Sequence, residues 1–457
     1  MTGKGRAQWL DSLRTQLWPL PALAVVIAVT LGMVLPALDS AVDGRLPTCV
    51  TVLLFSGGPD AARAVLQAIA GSLITVTSLT FSLTVVTLQL ASSQFSPRLL
   101  RTFTSDRFVH GTLALFLAAF AFALTVLRSV RGEGSGSTLF VPEISVTVAF
   151  VLAIASVMGL VLFLAHLARE IRVETMMRRV NVETQGTIDR VFPENRPPRG
   201  PEPVPASEAF IIRSTSSGFL TSLDGEALME AAKKAGAVVR IDREPGTSVI
   251  EGVPFATAWP ALTERPATAG TAFTAEVSDN LARDVNNAVA TGFERTNVQD
   301  VGFGFRQLVD VAARALSPGI NDPTTAVHVI GHLSDLLCRL VGRNPGPEHL
   351  TDNDGHVRVV LSLPRLRDLL DLAVNQPRHY GTDDPVVAGR LLGLLQELTW
   401  CDRKGQYRAD ILEHLDRMRD AITAADYSPR ERGNLLDQAD AIALMQTKGG
   451  HSHGKEP

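Results

Sequence analysis

The sequence predicts an α-helical membrane domain with four transmembrane helices, followed by a cytosolic α+β module and a helical C-terminal region. Apolar stretches are concentrated in the first third of the 457-residue chain. Charged residues make up 20% of the chain, and most of them come after residue 168. Short β-like runs, and then apolar residues at helical spacing, follow a proline-rich segment.

Four apolar stretches in the domain 1–175 are long enough for a helix to cross a bilayer, which takes about 20 residues. They lie at about 17–38, 61–96, 111–127 and 144–167. As a helix, the second stretch would be roughly 50 Å long. It exceeds the hydrocarbon layer of about 30 Å, so we expect it to tilt or protrude.

Lysine and arginine residues near the ends of the spans set the expected orientation. Ten of them lie before the first span, between the second and third, or after the fourth, whereas four lie on the opposite side. This bias predicts a multi-pass protein of the bacterial inner (cytoplasmic) membrane with both termini in the cytoplasm. The first apolar run is too long for a cleaved signal and indicates a retained anchor.

The polar two-thirds of the chain divides at proline-rich and polar segments. The last helical stretch is expected to break near Pro429, because proline lacks the amide hydrogen that a helix interior needs. The expected parts are a proline-rich linker at 193–206, a small α+β module at 207–260, a mainly helical domain with one strand (357–363) at 271–445, and a disordered tail at 446–457.

The second span carries many polar residues but no charge from Val65 to Ser96. Hydrocarbon offers hydroxyl and amide groups no hydrogen-bonding partner, so we expect one face of this helix to contact protein or water. At helical spacing, one face consists of Thr77, Thr80, Thr84, Thr87 and Gln94. A second, neighbouring face consists of Thr75, Ser78, Ser82, Gln89 and Ser93.

Two interpretations of these faces remain open. In the first, several copies of the chain place them around a water-filled axis, where hydroxyls replace part of an ion's hydration shell. In the second, they let membrane helices pack closely and hydrogen-bond, at about 0.6 kcal/mol per contact. The candidate pore-lining residues are Thr77, Thr80, Thr84, Thr87, Gln89 and Gln94.

Two basic residues follow this span. Arg98 and Arg101 would ring the cytosolic mouth of a pore, and a basic ring favours anions. The ordinary excess of basic residues on the cytoplasmic side is the simpler explanation and needs no pore. The permeant species therefore stays open.

The candidate cytosolic site consists of Arg295, Asp300, Asn321 and Asp322. Asp322 can cap a helix that has Pro323 at its first position, which explains this residue without a ligand. Arg295 and Asp300, together with Asp310, could form a polar cluster against that turn. A buried ion-pair network is the alternative.

The sequence contains no enzyme signature. It lacks a phosphate-binding G-x-x-x-x-G-K loop, a nucleophile elbow and an H-E-x-x-H zinc motif. We therefore expect no catalytic residue, cofactor or metal. Cys49, Cys338 and Cys401 are scattered, and no intrachain disulfide is expected. The net charge of -4 gives no sign of a nucleic-acid partner.

Two stretches carry a resemblance to a known family. One is Leu-Gln-Leu-Ala-Ser-Ser-Gln-Phe-Ser-Pro-Arg-Leu-Leu at 88–100. The other runs from Arg295-Thr296 through Gln299-Asp300 to Ala-Leu-Ser-Pro-Gly-Ile-Asn-Asp-Pro at 315–323. They resemble a bacterial family of predicted membrane proteins, domain of unknown function 2254. The resemblance covers nearly the whole chain and implies four membrane helices and a cytosolic C-terminal region, but no activity, cofactor or catalytic residue.

Two functions fit these observations. The first is a homo-oligomeric channel whose second span lines the conduit and whose cytosolic domain assembles or gates it. Its partners would be the lipid bilayer, other copies of the chain, and an ion or small ligand. The second is a membrane-anchored cytosolic sensor or scaffold that binds a ligand or partner, because about 280 residues follow the membrane domain.

Overall fold

The computed structural model of the protein describes residues 18–42, 54–94, 106–131, 140–170, 172–194, 203–205, 209–261 and 273–448. These residues form thirteen helices and eight strands. The chain divides into two compact units, Met1–Thr175 and Met176–Pro457. We call them the membrane unit and the C-terminal unit.

The membrane unit contains four helices that are long and apolar enough to cross a membrane, which confirms the four predicted spans. The third begins four residues earlier than predicted because Asp106 caps it, accepting a hydrogen bond from the Phe108 amide at 2.8 Å. The helices are α1 Pro19–Val42, α2 Pro59–Gln94, α3 Arg107–Ser129 and α4 Glu143–Glu170.

Helix α3 is the centre of the membrane unit, because α1, α2 and α4 all pack against it. Two glycines allow this close approach. A Cβ atom on Gly32 of α1 would lie 2.8 Å from the Cβ of Thr125 in α3, and one on Gly159 of α4 would lie 3.2 Å from Leu115. Small residues at such contacts let membrane helices gain packing energy that lipid does not offer.

The C-terminal unit contains all the described strands. Its helices are α5 Val173–Val191, which begins three residues before the unit, α6 Gly225–Lys234, α7 Ala275–Asn287, α8 Val301–Ala315, α9 Pro323–Val341, α10 Leu366–Gly381, α11 Pro385–Cys401, α12 Arg408–Ala424 and α13 Pro429–Lys448. Its strands are β1 Phe210–Arg213, β2 Gly218–Leu223, β3 Ala237–Ile241, β4 Ser248–Val249, β5 Pro254–Pro260, β6 Val289–Gly292, β7 Glu348–Thr351 and β8 Val357–Leu361.

A five-stranded sheet, in the order β1-β5-β3-β8-β7, joins the two parts that the sequence divides between 260 and 271. Strands β3 and β8 are parallel, with Val239 opposite Val359, and the other neighbours are antiparallel. The strand predicted alone within the helical region is therefore a central strand of the sheet. A smaller sheet has the order β4-β2-β6. Strand β6 lies within the region 271–445, which was predicted to be mainly helical with one strand.

Two helical hairpins, α8–α9 and α10–α11, follow one another with similar turns. Residues 319–323 have the sequence Gly-Ile-Asn-Asp-Pro, and residues 381–385 have Gly-Thr-Asp-Asp-Pro. In each turn the aspartate before the proline, Asp322 or Asp384, caps a helix that has proline in its first turn. Helix α9 packs against α11, and the predicted break at Pro429 separates α12 from α13.

Candidate functional site

The threonine face of α2 lies inside the membrane unit. Thr77, Thr80, Thr84 and Thr87 are all buried. The hydroxyls of Thr77, Thr84 and Thr87 each donate to the carbonyl oxygen four residues earlier, at 2.7 to 2.8 Å. A hydroxyl that bonds to its own helix needs no water. This placement favours helix packing over pore lining for these four residues.

A different face of α2 is exposed on the surface of the membrane unit. Its members are separated by four and three residues in alternation, so they lie on one side of the helix. From residue 64 to residue 89 it is about 38 Å long at about 1.5 Å per residue. We call it the α2 stripe, and it consists of Ala64, Ala68, Gly71, Thr75, Ser78, Ser82, Val85 and Gln89.

The α2 stripe differs from the large apolar residues beside it. Ile74, Leu79, Phe81 and Val86 flank it and are exposed apolar side chains that suit lipid. Within the stripe, the Thr75 hydroxyl donates to the Gly71 carbonyl oxygen at 3.1 Å.

The polar members of the stripe have few partners in the protomer. For the side chains of Ser78, Ser82 and Gln89, no hydrogen bond is formed within the described part of the chain. A polar group that faces hydrocarbon without a partner costs several kcal/mol. Exposure of these three side chains to lipid would therefore be costly.

Gln94 was predicted to line the pore, and Arg98 and Arg101 were predicted to ring its cytosolic mouth. The side chain of Gln94, together with Arg98 and Arg101, lies outside the described residues. Of the two predicted glutamines, Gln89 is exposed within the α2 stripe.

In the C-terminal unit, Arg295 and Asp300 form the ion pair that was one of the two alternatives. Nε and Nη2 of Arg295 donate to the two carboxylate oxygens of Asp300, at 2.8 and 3.0 Å. Asp300 is buried, and its Oδ1 also accepts from the Phe303 amide at 2.9 Å, which caps α8. Burial raises the pKa of Asp300, and the hydrogen bonds from Arg295 oppose that shift.

Asp300 lies against the turn that follows β3. A Cβ atom on Gly246 in this turn would come within 1.9 Å of Asp300 Oδ2. The loop after the parallel strand β8 leads to the N-terminus of α10, where Arg365 is the N-cap residue and its amide donates to Asp368 at 3.0 Å. Ligands of open α/β sheets commonly bind beyond the carboxyl ends of parallel strands, which is where these groups lie.

Glu244, in the same turn, is a functional candidate that the sequence did not reveal. Burial raises its pKa, the nearby carboxylates of Asp368 and Asp300 raise it further, and Arg365 opposes them. A half-buried carboxyl of this kind can exchange a proton or pair with a cationic group. No motif marks Glu244, because its charged neighbours come from distant parts of the sequence.

Asn321 and Asp322 lie at the opposite end of α8 from Arg295 and Asp300. The 15 residues of α8 separate the two pairs by about 22 Å, so the structure does not bring the four residues together. Asp310 lies in α8, ten residues after the N-cap residue Asp300, which separates the two residues by about 15 Å along the helix axis. The predicted cluster against the 321–322 turn is therefore wrong, and the ion-pair alternative describes Arg295 and Asp300.

Capping accounts for the chemistry of the 321–322 turn. Asn321 has a φ of 47°, a left-handed conformation that asparagine tolerates better than most residues. Oδ1 of Asp322 accepts from the Thr325 amide at 3.0 Å, and Oδ2 accepts from the Thr325 hydroxyl at 2.6 Å. These hydrogen bonds lower the pKa of Asp322.

A polar pair that the sequence reasoning missed joins two membrane helices. Nε2 of His166 in α4 lies 2.6 Å from Oδ2 of Asp106, the residue that caps α3. The His166 ring also packs on Phe108, with 4.6 Å between ring centroids. A titratable side chain in an otherwise apolar span is the signal that would have identified it.

One group of metal-binding residue types occurs among the described residues. Single ligand atoms of Asp352, Asp354 and His356 lie within 4.8 Å of one another. The oxygens of Asp352 are already engaged, because Oδ2 accepts from Arg358 Nε at 2.7 Å and Oδ1 accepts from the amides of Asp354 and His356. The group therefore stabilises the turn between β7 and β8.

The four apolar helices and the C-terminal unit define a helical multi-pass membrane protein with an α+β region. The chain belongs to the family described as Predicted membrane protein (DUF2254), whose model matches residues 14–397. An uncharacterized protein of Mycobacterium bovis and one of Mycobacterium tuberculosis are each 36% identical to it over 390 residues, covering 84% of this chain and 72% of the relative. No solved structure matches the chain significantly.

Proposed function

We propose that the protein is a homo-oligomeric channel of the bacterial inner membrane, assembled through the α2 stripe. The observation that carries this proposal is a stripe of mostly small and polar residues, exposed along a helix that is apolar enough to cross a membrane. Sister copies of α2 would supply the missing contacts. Small side chains permit close approach, and hydroxyls that do not meet across the interface can face water.

Apart from Gln89, the residues proposed to line the conduit differ from the pore-lining candidates that the sequence indicates. Thr75, Ser78, Ser82 and Gln89 are exposed on the protomer and can reach an axis between subunits. Uncharged hydroxyls and amides would let an ion or small polar solute pass without trapping it. The C-terminal unit would then assemble or gate the oligomer.

The orientation follows from the lysine and arginine residues of the sequence. Ten lie on the side of the two termini and four on the other side, which favours cytoplasmic termini and a cytoplasmic C-terminal unit. The lipid bilayer and other copies of the chain are the partners that this arrangement requires.

Ion flux through liposomes that contain the full-length protein tests the conduit. Ser78→Leu and Ser82→Leu fill the proposed axis with larger apolar side chains, and we expect at least a tenfold loss of flux. Thr84→Val is the matched control, because this residue is on the same helix but is buried in the protomer. We expect its flux to stay within twofold of wild type.

Crosslinking in the membrane tests the assembly separately. In a protein with all three native cysteines replaced by serine, we expect Ser78→Cys to form disulfide-linked dimers. Phe81→Cys, on the exposed apolar flank, should not. If the protein crosslinks through Ser78→Cys but conducts no ions, the stripe is an interface between subunits and does not line a conduit. A monomeric protein would overturn both assembly and conduit.

A second function, a membrane-anchored sensor, is favoured by the charged groups around Glu244. A half-buried carboxyl beside Arg365 and two further carboxylates is suited to a small ligand that carries a cationic group. A thermal-shift screen of the full-length protein in detergent would test this. A ligand shift that Glu244→Gln removes and Ser78→Leu preserves would favour the sensor.

A further inference from the structure

Two cysteines that are 63 residues apart in sequence lie on facing turns of α9 and α11. The Ser334 hydroxyl of α9 donates to the carboxylate of Glu397 in α11. Cys338 lies four residues after Ser334, and Cys401 lies four residues after Glu397. Each cysteine is therefore about one turn further along its helix, on the same face as the residue that makes this contact. The Cys401 side chain lies close enough to Cys338 to raise the pKa of the Cys338 thiol.

The two thiols differ in their surroundings. Cys401 is exposed at the end of α11, whereas Cys338 is partly buried, and both are free. Burial, and then the neighbouring Cys401, raise the pKa of the Cys338 thiol. The thiolate is the reactive form of cysteine, and the raised pKa disfavours it at Cys338. Cys401 is exposed, so it is the sulfur that an oxidant in solution would meet first.

We propose that Cys338 and Cys401 form a modification site, at which a hydroperoxide converts the two thiols into a reversible disulfide that links α9 to α11. The spacing of the cysteines matches no motif, so no intrachain disulfide is expected from the sequence alone. Packing of the two hairpins brings them together. The proposal does not depend on channel activity.

The chemistry balances with one hydroperoxide for each disulfide. The Cys401 thiolate attacks the peroxide oxygen, the O–O bond breaks, and water leaves once the departing hydroxide is protonated. The sulfenic acid that forms on Cys401 is then attacked by the Cys338 sulfur, which expels a second water and forms the S–S bond. Two thiols and hydrogen peroxide thus give a disulfide and two waters, with the peroxide reduced and each sulfur oxidised by one electron.

The disulfide would fix the relative position of the two hairpins. The cysteines connect α9 of the first hairpin to α11 of the second. A disulfide requires Cα atoms within about 7 Å. Formation in the folded protein therefore depends on the close packing of α9 and α11.

Thiol titration of the full-length protein in detergent tests the site. In a Cys49→Ser background, two thiols per chain remain. We expect stoichiometric hydrogen peroxide to reduce this number to near zero and dithiothreitol to restore it. Mass spectrometry should identify the Cys338 and Cys401 peptides joined in one chain.

Single substitutions give the matched controls. With Cys338→Ser, we expect Cys401 to accumulate sulfenic acid that dimedone traps, because the second sulfur is missing. With Cys401→Ser, we expect Cys338 to react at least tenfold more slowly. Circular dichroism identical to that of the parent protein would establish that both variants are folded. The proposal is overturned if both thiols stay free, if disulfides form only between chains, or if the intrachain disulfide needs denaturant.

Discussion

Asp39, near the end of α1, caps α4 through Ser145. Oδ2 of Asp39 accepts hydrogen bonds from the Ser145 amide at 3.1 Å and from the Ser145 hydroxyl at 2.8 Å, and Oδ1 accepts from the Ile144 amide at 3.0 Å. Both residues are buried. The first span was predicted to end at residue 38, but the apolar helix extends to Ala41 and includes this carboxylate. The Asp39 carboxylate accepts hydrogen bonds from amides at the N-terminus of α4, which have no partners within that helix.

Removal of the Asp39 carboxylate should destabilise the membrane unit. We expect Asp39→Ala to lower the free energy of unfolding by about 1–2 kcal/mol, the usual cost of losing a helix N-cap. Asp39→Asn retains one acceptor oxygen and should cost less. Unfolding in mixed micelles with increasing dodecyl sulfate, followed by circular dichroism, measures both. Asp60→Ala is the control because the Asp60 side chain is fully exposed, and an equal loss for this variant would contradict the capping role.

The approach of Gly246 to Asp300 predicts a large effect of a small substitution. Gly246 has a φ of +88°, and a Cβ there would lie 1.9 Å from Asp300 Oδ2. We expect Gly246→Ala to destabilise the C-terminal unit by about 3 kcal/mol, because backbone strain and a collision with a buried side chain add together. Thermal unfolding of the full-length protein measures the loss.

Gly252→Ala separates the two causes. Gly252 also has a positive φ, +78°, but the space around its Cβ position is open. We therefore expect Gly252→Ala to lose only the stability that backbone strain costs, about 1–2 kcal/mol. Equal losses for the two variants would mean that Asp300 can move away from the Gly246 turn.

The parts of the fold that depend on local sequence were predictable. Four apolar stretches of sufficient length became four helices, and Asp322 with Pro323 began a helix where the capping pattern placed it. Each of these features is decided by residues within a few turns of one another.

Features that depend on distant residues were not predictable. Both polar faces of α2 have helical spacing, and packing against the other helices of the membrane unit decides that Thr84 is buried while Ser82 is exposed. Likewise, the pairing of Val239 with Val359 joins segments 120 residues apart. Glu244 lies near Asp368 only because this parallel pairing aligns the loops that follow both strands.

The raised pKa of Glu244 predicts a pH-dependent effect on stability. A carboxyl whose pKa is higher in the folded state contributes stability below its ordinary pKa of 4.5. That contribution is lost as the pH rises through the higher folded value. Glu244→Gln removes the ionisation. We therefore expect a higher Tm than wild type at pH 7 and no difference near pH 4.

The control for this experiment is Glu251→Gln, an exposed residue in the turn before β5. We expect its Tm to match wild type at both pH values. If Glu244→Gln were less stable than wild type at pH 7, the ionised carboxylate would have a favourable partner, and the electrostatic interpretation of the site would be wrong.

The contact between α5 and α8 predicts a rescue. A Cβ on Gly304 of α8 would lie 1.8 Å from Thr184 Oγ1 and 2.8 Å from Thr184 Cβ in α5. We expect Gly304→Ala to cost about 1–3 kcal/mol through overpacking. Gly302→Ala, two residues earlier in the same helix, meets nothing closer than 3.5 Å. It should be neutral or stabilise by up to about 1 kcal/mol, because alanine favours a helix over glycine.

Thr184→Gly should reverse the loss in the double variant. Alone, it destabilises by roughly 1 kcal/mol or more, since glycine in a helix interior loses backbone entropy on folding. In the Gly304→Ala protein it removes the colliding side-chain atoms of Thr184, so the double variant should be more stable than Gly304→Ala alone. Chemical denaturation of all four proteins gives the coupling energy, which we expect to be about 1–3 kcal/mol. Additive losses would mean that α5 can shift away from Gly304 and that the tight contact is not required.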